Sequence, residues 1–95
     1  MRTMTDQEIM EKNIVLSFEF SLYVIEHPEF AEQIPEEARV VLLPKDDPEL
    51  SEINRETAQT ARLLDDELGR PTLYIEFERL RPARSRLVGP RVLAT

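Results

Sequence analysis

The side chains best placed to do chemistry are three carboxylates in the stretch Val40 to Leu50, which reads VVLLPKDDPEL. Asp46, Asp47 and Glu49 follow an apolar run and a Pro44-Lys45 break, where a buried strand would hand over to a helix. Open α/β sheets place ligands at the carboxyl ends of their strands, and there Asp46 and Asp47 would offer oxygen ligands to Mg²⁺ or to a small molecule. The same residues have a plainer use. Asp47 is a good N-cap, Pro48 suits the first helical position, and Glu49 complements the positive end of the helix dipole. Capping explains two of the three acids, so the turn is architectural first and a metal site second.

Other reactive side chains are sparse. His27 is the single histidine and there is no cysteine, so a zinc site within one chain would have to rely on carboxylates, and a disulfide or thiol nucleophile is excluded. Glu26 and Glu29 flank His27 without a metalloprotease spacing, and Pro28 makes His27 a helix-boundary residue. Glycine occurs only at Gly69 and Gly89, which rules out a P-loop or a G-x-G-x-x-G turn. Ser17, Ser21, Ser51 and Ser85 lack a nucleophile-elbow context, and Glu36-Glu37 is solvated charge in a polar turn. No catalytic residue and no cofactor are expected.

The elements that must position these residues can be read in order. Thr5-Asp6-Gln7-Glu8 is a capping box, and no Gly or Pro follows until Pro28, which predicts a long helix from about Asp6 to Glu26. The alternation of Leu16, Phe18, Phe20, Leu22 and Val24 competes as a strand signal, but the cap and the uninterrupted length favour helix. Glu8, Lys12, Glu19 and Glu26 fall on one narrow stripe, and apolar residues fill most of the remaining circumference, so the helix needs two partners. Asn13, Ser17 and Ser21 leave a shallow groove within that apolar arc for another helix. A short helix restarts at Pro28 and runs through about Gln33, with Phe30 and Ile34 as anchors.

A strand from Ala38 to Leu43 follows, and its unbroken VVLL run suggests burial on both faces, as in parallel sheets. The next helix places Leu50, Ile53, Thr57, Ala61, Leu64 and Leu68 on one face, with Glu52, Arg55, Glu56, Gln59 and Arg62 towards water. Gly69 and Pro71 stop it, and Thr72 to Glu78 alternates as a second strand with Leu73, Ile75 and Phe77 on one side. The fold class is therefore α/β: a long helix, a short helix and a right-handed βαβ unit with a small parallel sheet. The free sheet edges and the over-apolar first helix predict a homodimer in which first helices or sheet edges meet.

Composition bounds the rest. Ninety-five residues with 41 % apolar and 33 % charged side chains make one soluble domain with a thin core. Residues 1–79 form the domain and 80–95 a basic, extended or disordered tail. The net charge of −7 conceals an asymmetry: all nineteen acids lie at or before Glu78 with seven basic residues (7 − 19 = −12), and the last seventeen residues hold five arginines and no acid (+5). An acidic body repels nucleic acid and membrane phosphates and favours basic protein partners. The tail arginines lack aromatic neighbours on which a base would stack. The N-terminus has no signal-peptide pattern and no apolar run spans a bilayer, which points to a cytoplasmic protein.

One local rule is broken. Asp65, Asp66 and Glu67 fall in the last turn of the second long helix, where the dipole disfavours negative charge. They read as ordinary solvated charge beside Arg62 and Arg70, or as an acidic patch for a basic partner or for the Arg81 to Arg91 tail of the same or a neighbouring subunit.

The runs Glu11-Lys12-Asn13, LSFEF at Leu16 to Phe20, HPEF at His27 to Phe30, Ile34-Pro35-Glu36 and LPKDDPEL at Leu43 to Leu50 resemble a small prokaryotic family of uncharacterised proteins. The resemblance covers about Thr5 to Glu78 and implies no known activity and no catalytic residues to carry over. The arginine-rich tail departs from that family's usual ending near the second strand.

The expected function is a non-enzymatic, dimeric interaction module whose acidic surface engages a basic protein, an antitoxin masking a basic ribonuclease toxin being one concrete case. Asp65, Asp66, Glu67, Ser17, Ser21 and Phe18 are its candidate contact residues. The alternative is a small-molecule or Mg²⁺-binding protein using Asp46 and Asp47.

Overall fold

Thr5 opens the first helix as the capping box requires: its Oγ1 accepts the Glu8 backbone N–H at 3.1 Å. In the computed structural model, which describes residues 3–64 and 70–94, five elements follow in order. They are α1 (Asp6–Glu26), α2 (Pro28–Ala31), β1 (Arg39–Pro44), α3 (Pro48–Leu64) and β2 (Thr72–Phe77). The expected α/β class and element order hold. The short helix is shorter than expected, and the first strand lies one residue later.

His27 terminates α1. Its backbone N–H bonds to the Tyr23 carbonyl at 2.9 Å, its ring stacks on Tyr23 with centroids 3.9 Å apart, and its Nδ1 lies 3.0 Å from the same carbonyl oxygen. Pro28 then starts α2, and Phe30 meets Phe20 and Tyr23 edge-on. Phe30 thus anchors α2 to α1. The turn into β1 holds Glu37 in the left-handed region, at φ 64°, and the Arg70 Nε donates to the Glu37 carbonyl at 2.9 Å.

The strands pair in parallel, from Arg39 beside Thr72 to Pro44 beside Phe77. The Arg39 and Lys45 N–H groups bond to the Pro71 and Phe77 carbonyls, so odd-numbered residues of β1 direct their backbone groups to β2. Even-numbered residues direct theirs to the opposite edge. That edge is occupied by α3: the Asn54 Nδ2 donates to the Leu42 carbonyl at 2.9 Å, and the Ser51 hydroxyl donates to the Pro44 carbonyl. The outward groups of β2 are those of Thr72, Tyr74 and Glu76.

Two small buried clusters hold the layers together. Met4, Leu16, Leu50 and Ile53 join α1 to α3 with Ile9, Leu42 and Phe77 around them, and Val41, Leu43 and Ala58 pack with Tyr74. Arg55 lies 5.4 Å from the Tyr74 ring centroid. Several sequence expectations need correction here. Val40 and Leu42 are only half-buried while Val41 and Leu43 are buried, so β1 is covered less completely on one face than on the other. On α3, Ala58 is buried in place of Thr57, and Leu64 is 78 % exposed, because the helix runs along the β1 edge and outlasts the strand it covers. The five polar residues expected to face water do so.

Residues 79–94 form no helix or strand and are exposed throughout. They lengthen the molecule to 59 × 38 × 27 Å, with a radius of gyration of 17.0 Å; a compact domain of this length would have about 12 Å.

Candidate functional site

The turn between β1 and α3 is built as a junction. Asp47 Oδ1 accepts the Leu50 N–H at 3.2 Å, capping α3, and its Oδ2 pairs with Lys12 Nζ of α1 at 2.9 Å. The hydrogen bond from Lys12 holds the Asp47 carboxyl below the usual carboxylate range, helped by the Leu50 N–H, and the same bond raises Lys12 above the ordinary lysine value. Glu49, next along, grips the N-terminal segment. The Thr3 backbone N–H donates to its Oε1, and the Thr3 hydroxyl lies 2.8 and 2.7 Å from its two oxygens. These bonds, the backbone one foremost, depress the Glu49 pKa and seat Met4 in the core. No sequence pattern pointed to Thr3 or Met4, since both precede the capping box.

Asp46 is exposed, and its backbone N–H donates to the Glu78 carbonyl at 3.2 Å. A cleft of about 310 Å³ lies at the carboxyl ends of both strands, lined by Lys12, Val15, Asp46, Asp47, Phe77 and Leu80 among others, so the expected place for a pocket does hold one. Among the described residues, no group of three or more His, Asp and Glu side chains is arranged to hold a metal ion. Both Asp47 oxygens already serve protein groups.

A second cleft, of about 270 Å³, runs between α1 and α3 beside β1 and is lined by Asn13, Ser17, Val40, Asn54 and Ala58, among others. The helix that approaches the Asn13 end of the expected groove is α3: the Asn13 and Asn54 carboxamides exchange hydrogen bonds at 3.0 and 2.9 Å. Ser17 lines the cleft. Ser21 is exposed, its hydroxyl donating to the Ser17 carbonyl at 3.0 Å.

The most unusual surface is the outer side of α1. Ile9, Leu16 and Phe20 turn inward, which leaves Met10, Ile14, Val15, Phe18 and Ile25 facing solvent, with Phe18 67 % and Ile25 74 % exposed. At about 100° per residue Met10, Ile14, Phe18 and Ile25 lie within roughly 80° of arc, with Glu11 about 20° beyond Phe18 and the Glu8, Glu19 and Glu26 stripe beginning about 80° beyond it, past Val15. Asp65, Asp66 and Glu67, the remaining candidate contact residues, lie outside the described residues.

A family model matches residues 8–90, and its description is a family of unknown function, DUF5647. The chain belongs to this family. No curated protein and no solved structure matches it. The DUF5647 match runs through Pro90, past the second strand and into the arginine-rich tail. No helix among the described residues is long and apolar enough to cross a membrane.

Proposed function

We propose that this DUF5647 member is a non-enzymatic interaction module, a homodimer that engages a basic protein; an antitoxin masking a basic ribonuclease toxin is one concrete form. The observation that carries this reading is the outward apolar face of α1, centred on Phe18 and bordered by glutamates. Met10, Ile14, Phe18 and Ile25 are each more than half exposed, and clustered exposed apolar residues of this kind mark interaction surfaces. The acid-rich body, in which nineteen acids stand against seven basic residues up to Glu78, favours a cationic partner. Phe18, Ser17 and Ser21 are contact residues, and the sequence adds the acids Asp65, Asp66 and Glu67 as further candidates.

Light scattering at micromolar concentration tests the homodimer, for which a monodisperse monomer is the refuting result. Affinity capture from native lysate with a salt-step elution tests the second half. A basic protein released between low and high salt supports it, because exposed charge pairs are screened over about 10 Å at 0.1 M salt. Retention of only acidic or salt-insensitive proteins refutes it.

The cleft beside Asp46 and Asp47 favours a second reading, a small-molecule or Mg²⁺ site. A melting temperature that rises with Mg²⁺ supports it, since a ligand that binds only the folded state stabilises it.

A further inference from the structure

Two surfaces of this chain match each other in chemistry, and both are exposed within one molecule. The first is the outer face of α1, apolar along Met10, Ile14, Phe18 and Ile25 and flanked by Glu11 and, further round, by Glu8, Glu19 and Glu26. Its only cation, Lys12, is already paired with Asp47. The second is the tail. It carries Arg81, Arg84, Arg86 and Arg91, no acid, and the exposed apolar pairs Leu87-Val88 and Val92-Leu93, with Val92 98 % exposed.

The tail also has built-in shape. Gly89 sits at φ +60°, a left-handed conformation that L side chains rarely adopt, and Pro90 follows it. This turn sets the two apolar pairs apart as separate anchors. Pro82 disfavours helix at Arg81, and residues 81–88 carry no helix or strand. The family match extends to Pro90 and so takes in the first anchor and the turn.

We propose that the outer face of α1 is a docking surface for the arginine-rich tail of a second copy of this chain, so that two protomers exchange tails. The proposal rests on the homodimer reading above and specifies what the dimer is made of. Length permits it: the apolar face from Met10 to Ile25 is about 23 Å long at 1.5 Å per residue, and the residues from 81 to 94 reach about 45 Å when extended. Charge selects it over direct packing of α1 on α1. Two copies of that face would bring Glu8, Glu19 and Glu26 rows together, whereas a tail brings arginines to them. Leu87 and Val88 would cover the Phe18 region and the arginines would pair along the glutamate border.

The absence of cysteine makes a direct test clean. Full-length Phe18→Cys and Val88→Cys chains are mixed, equilibrated and mildly oxidised, and inter-chain disulfides are counted by mass spectrometry. A Gln59→Cys chain on the exposed side of α3 replaces Phe18→Cys as control. The expected result is at least a tenfold excess of the Phe18–Val88 heterodimer over the control, reduced severalfold at 1 M salt or by Arg84→Glu with Arg86→Glu. A light-scattering dimer without that excess overturns tail exchange and leaves the homodimer standing. A monomer overturns both. A double variant carrying both cysteines that closes only within one chain also overturns it, by showing the tail docked on its own α1.

Discussion

Asn13 and Asn54 face each other as a reciprocal amide pair, and Asn54 spends its remaining donor on the Leu42 carbonyl, 2.9 Å away. One side chain therefore ties α1, α3 and β1 together. Replacing Asn54 with Ala leaves a half-buried carbonyl and a half-buried carboxamide without partners, and each such loss costs about 1–3 kcal/mol. We expect Asn54→Ala to lower the melting temperature more than Asn13→Ala, as measured by circular dichroism. A double-mutant cycle between the two should show coupling of at least about 0.5 kcal/mol. Additive effects would contradict the pair.

Among the described residues Leu50 is the most buried side chain, at 2 % exposure, and it stands where α3 meets α1. Truncation to Ala should cost about 2–5 kcal/mol, a large share of the roughly 5–15 kcal/mol that holds an ordinary domain. Met4→Ala should fall in the same class although it lies outside every helix and strand. A urea midpoint for Met4→Ala indistinguishable from the parent would show that the N-terminal segment is not seated.

The Asp47 turn gives a pH signature. Asp47 and Glu49 are both depressed in the folded state, so the unfolded chain binds more protons as acid is added. Their contribution is complete above the ordinary carboxylate range, near about pH 4, and is lost as pH falls through their lower folded values. Lys12 is raised, so its contribution is complete below about pH 10.4 and is lost as pH rises through the folded value. Asp47→Asn should keep the cap but flatten the acid side of the stability profile; an unchanged slope below pH 4 would contradict the assignment. Asp47→Ala removes the cap as well, at about 0.5–2 kcal/mol, or several degrees of melting temperature.

Phe18→Asp separates folding from association. The side chain packs little within its own chain, so the substitution should change monomer stability by less than about 0.5 kcal/mol. The light-scattering mass should halve. A variant that unfolds instead would place Phe18 in the intramolecular core.

Much of this fold is legible in short signals. Thr5, Pro28, Asp47-Pro48 and the VVLL run give the element starts, because caps and prolines act locally and need no partner. The orientation of α1 was not legible. Apolar residues occupy most of its circumference, so the pattern could not say that Leu16 turns inward and Phe18 outward. Asn13, Asn54 and Ser51 were missed as fastening points for the opposite reason: polar residues leave no periodic trace, and their role depends on which carbonyls the strand edge presents. Thr57 and Ala58 traded places because a helix beside a strand edge buries a face rotated from the one its apolar residues outline.

The covering of one strand edge has a consequence for how copies of this protein can accumulate. With Asn54 and Ser51 holding the Leu42 and Pro44 carbonyls, and Pro44 lacking an N–H, β1 offers little to an incoming strand. Among the described residues, β2 presents the less obstructed row, at Thr72, Tyr74 and Glu76. Sheet-to-sheet joining can therefore happen once, between two β2 edges related by a twofold axis, and then it runs out of template. A ribbon that grows from both sides would become a fibre; a ribbon blocked on one side closes at four strands.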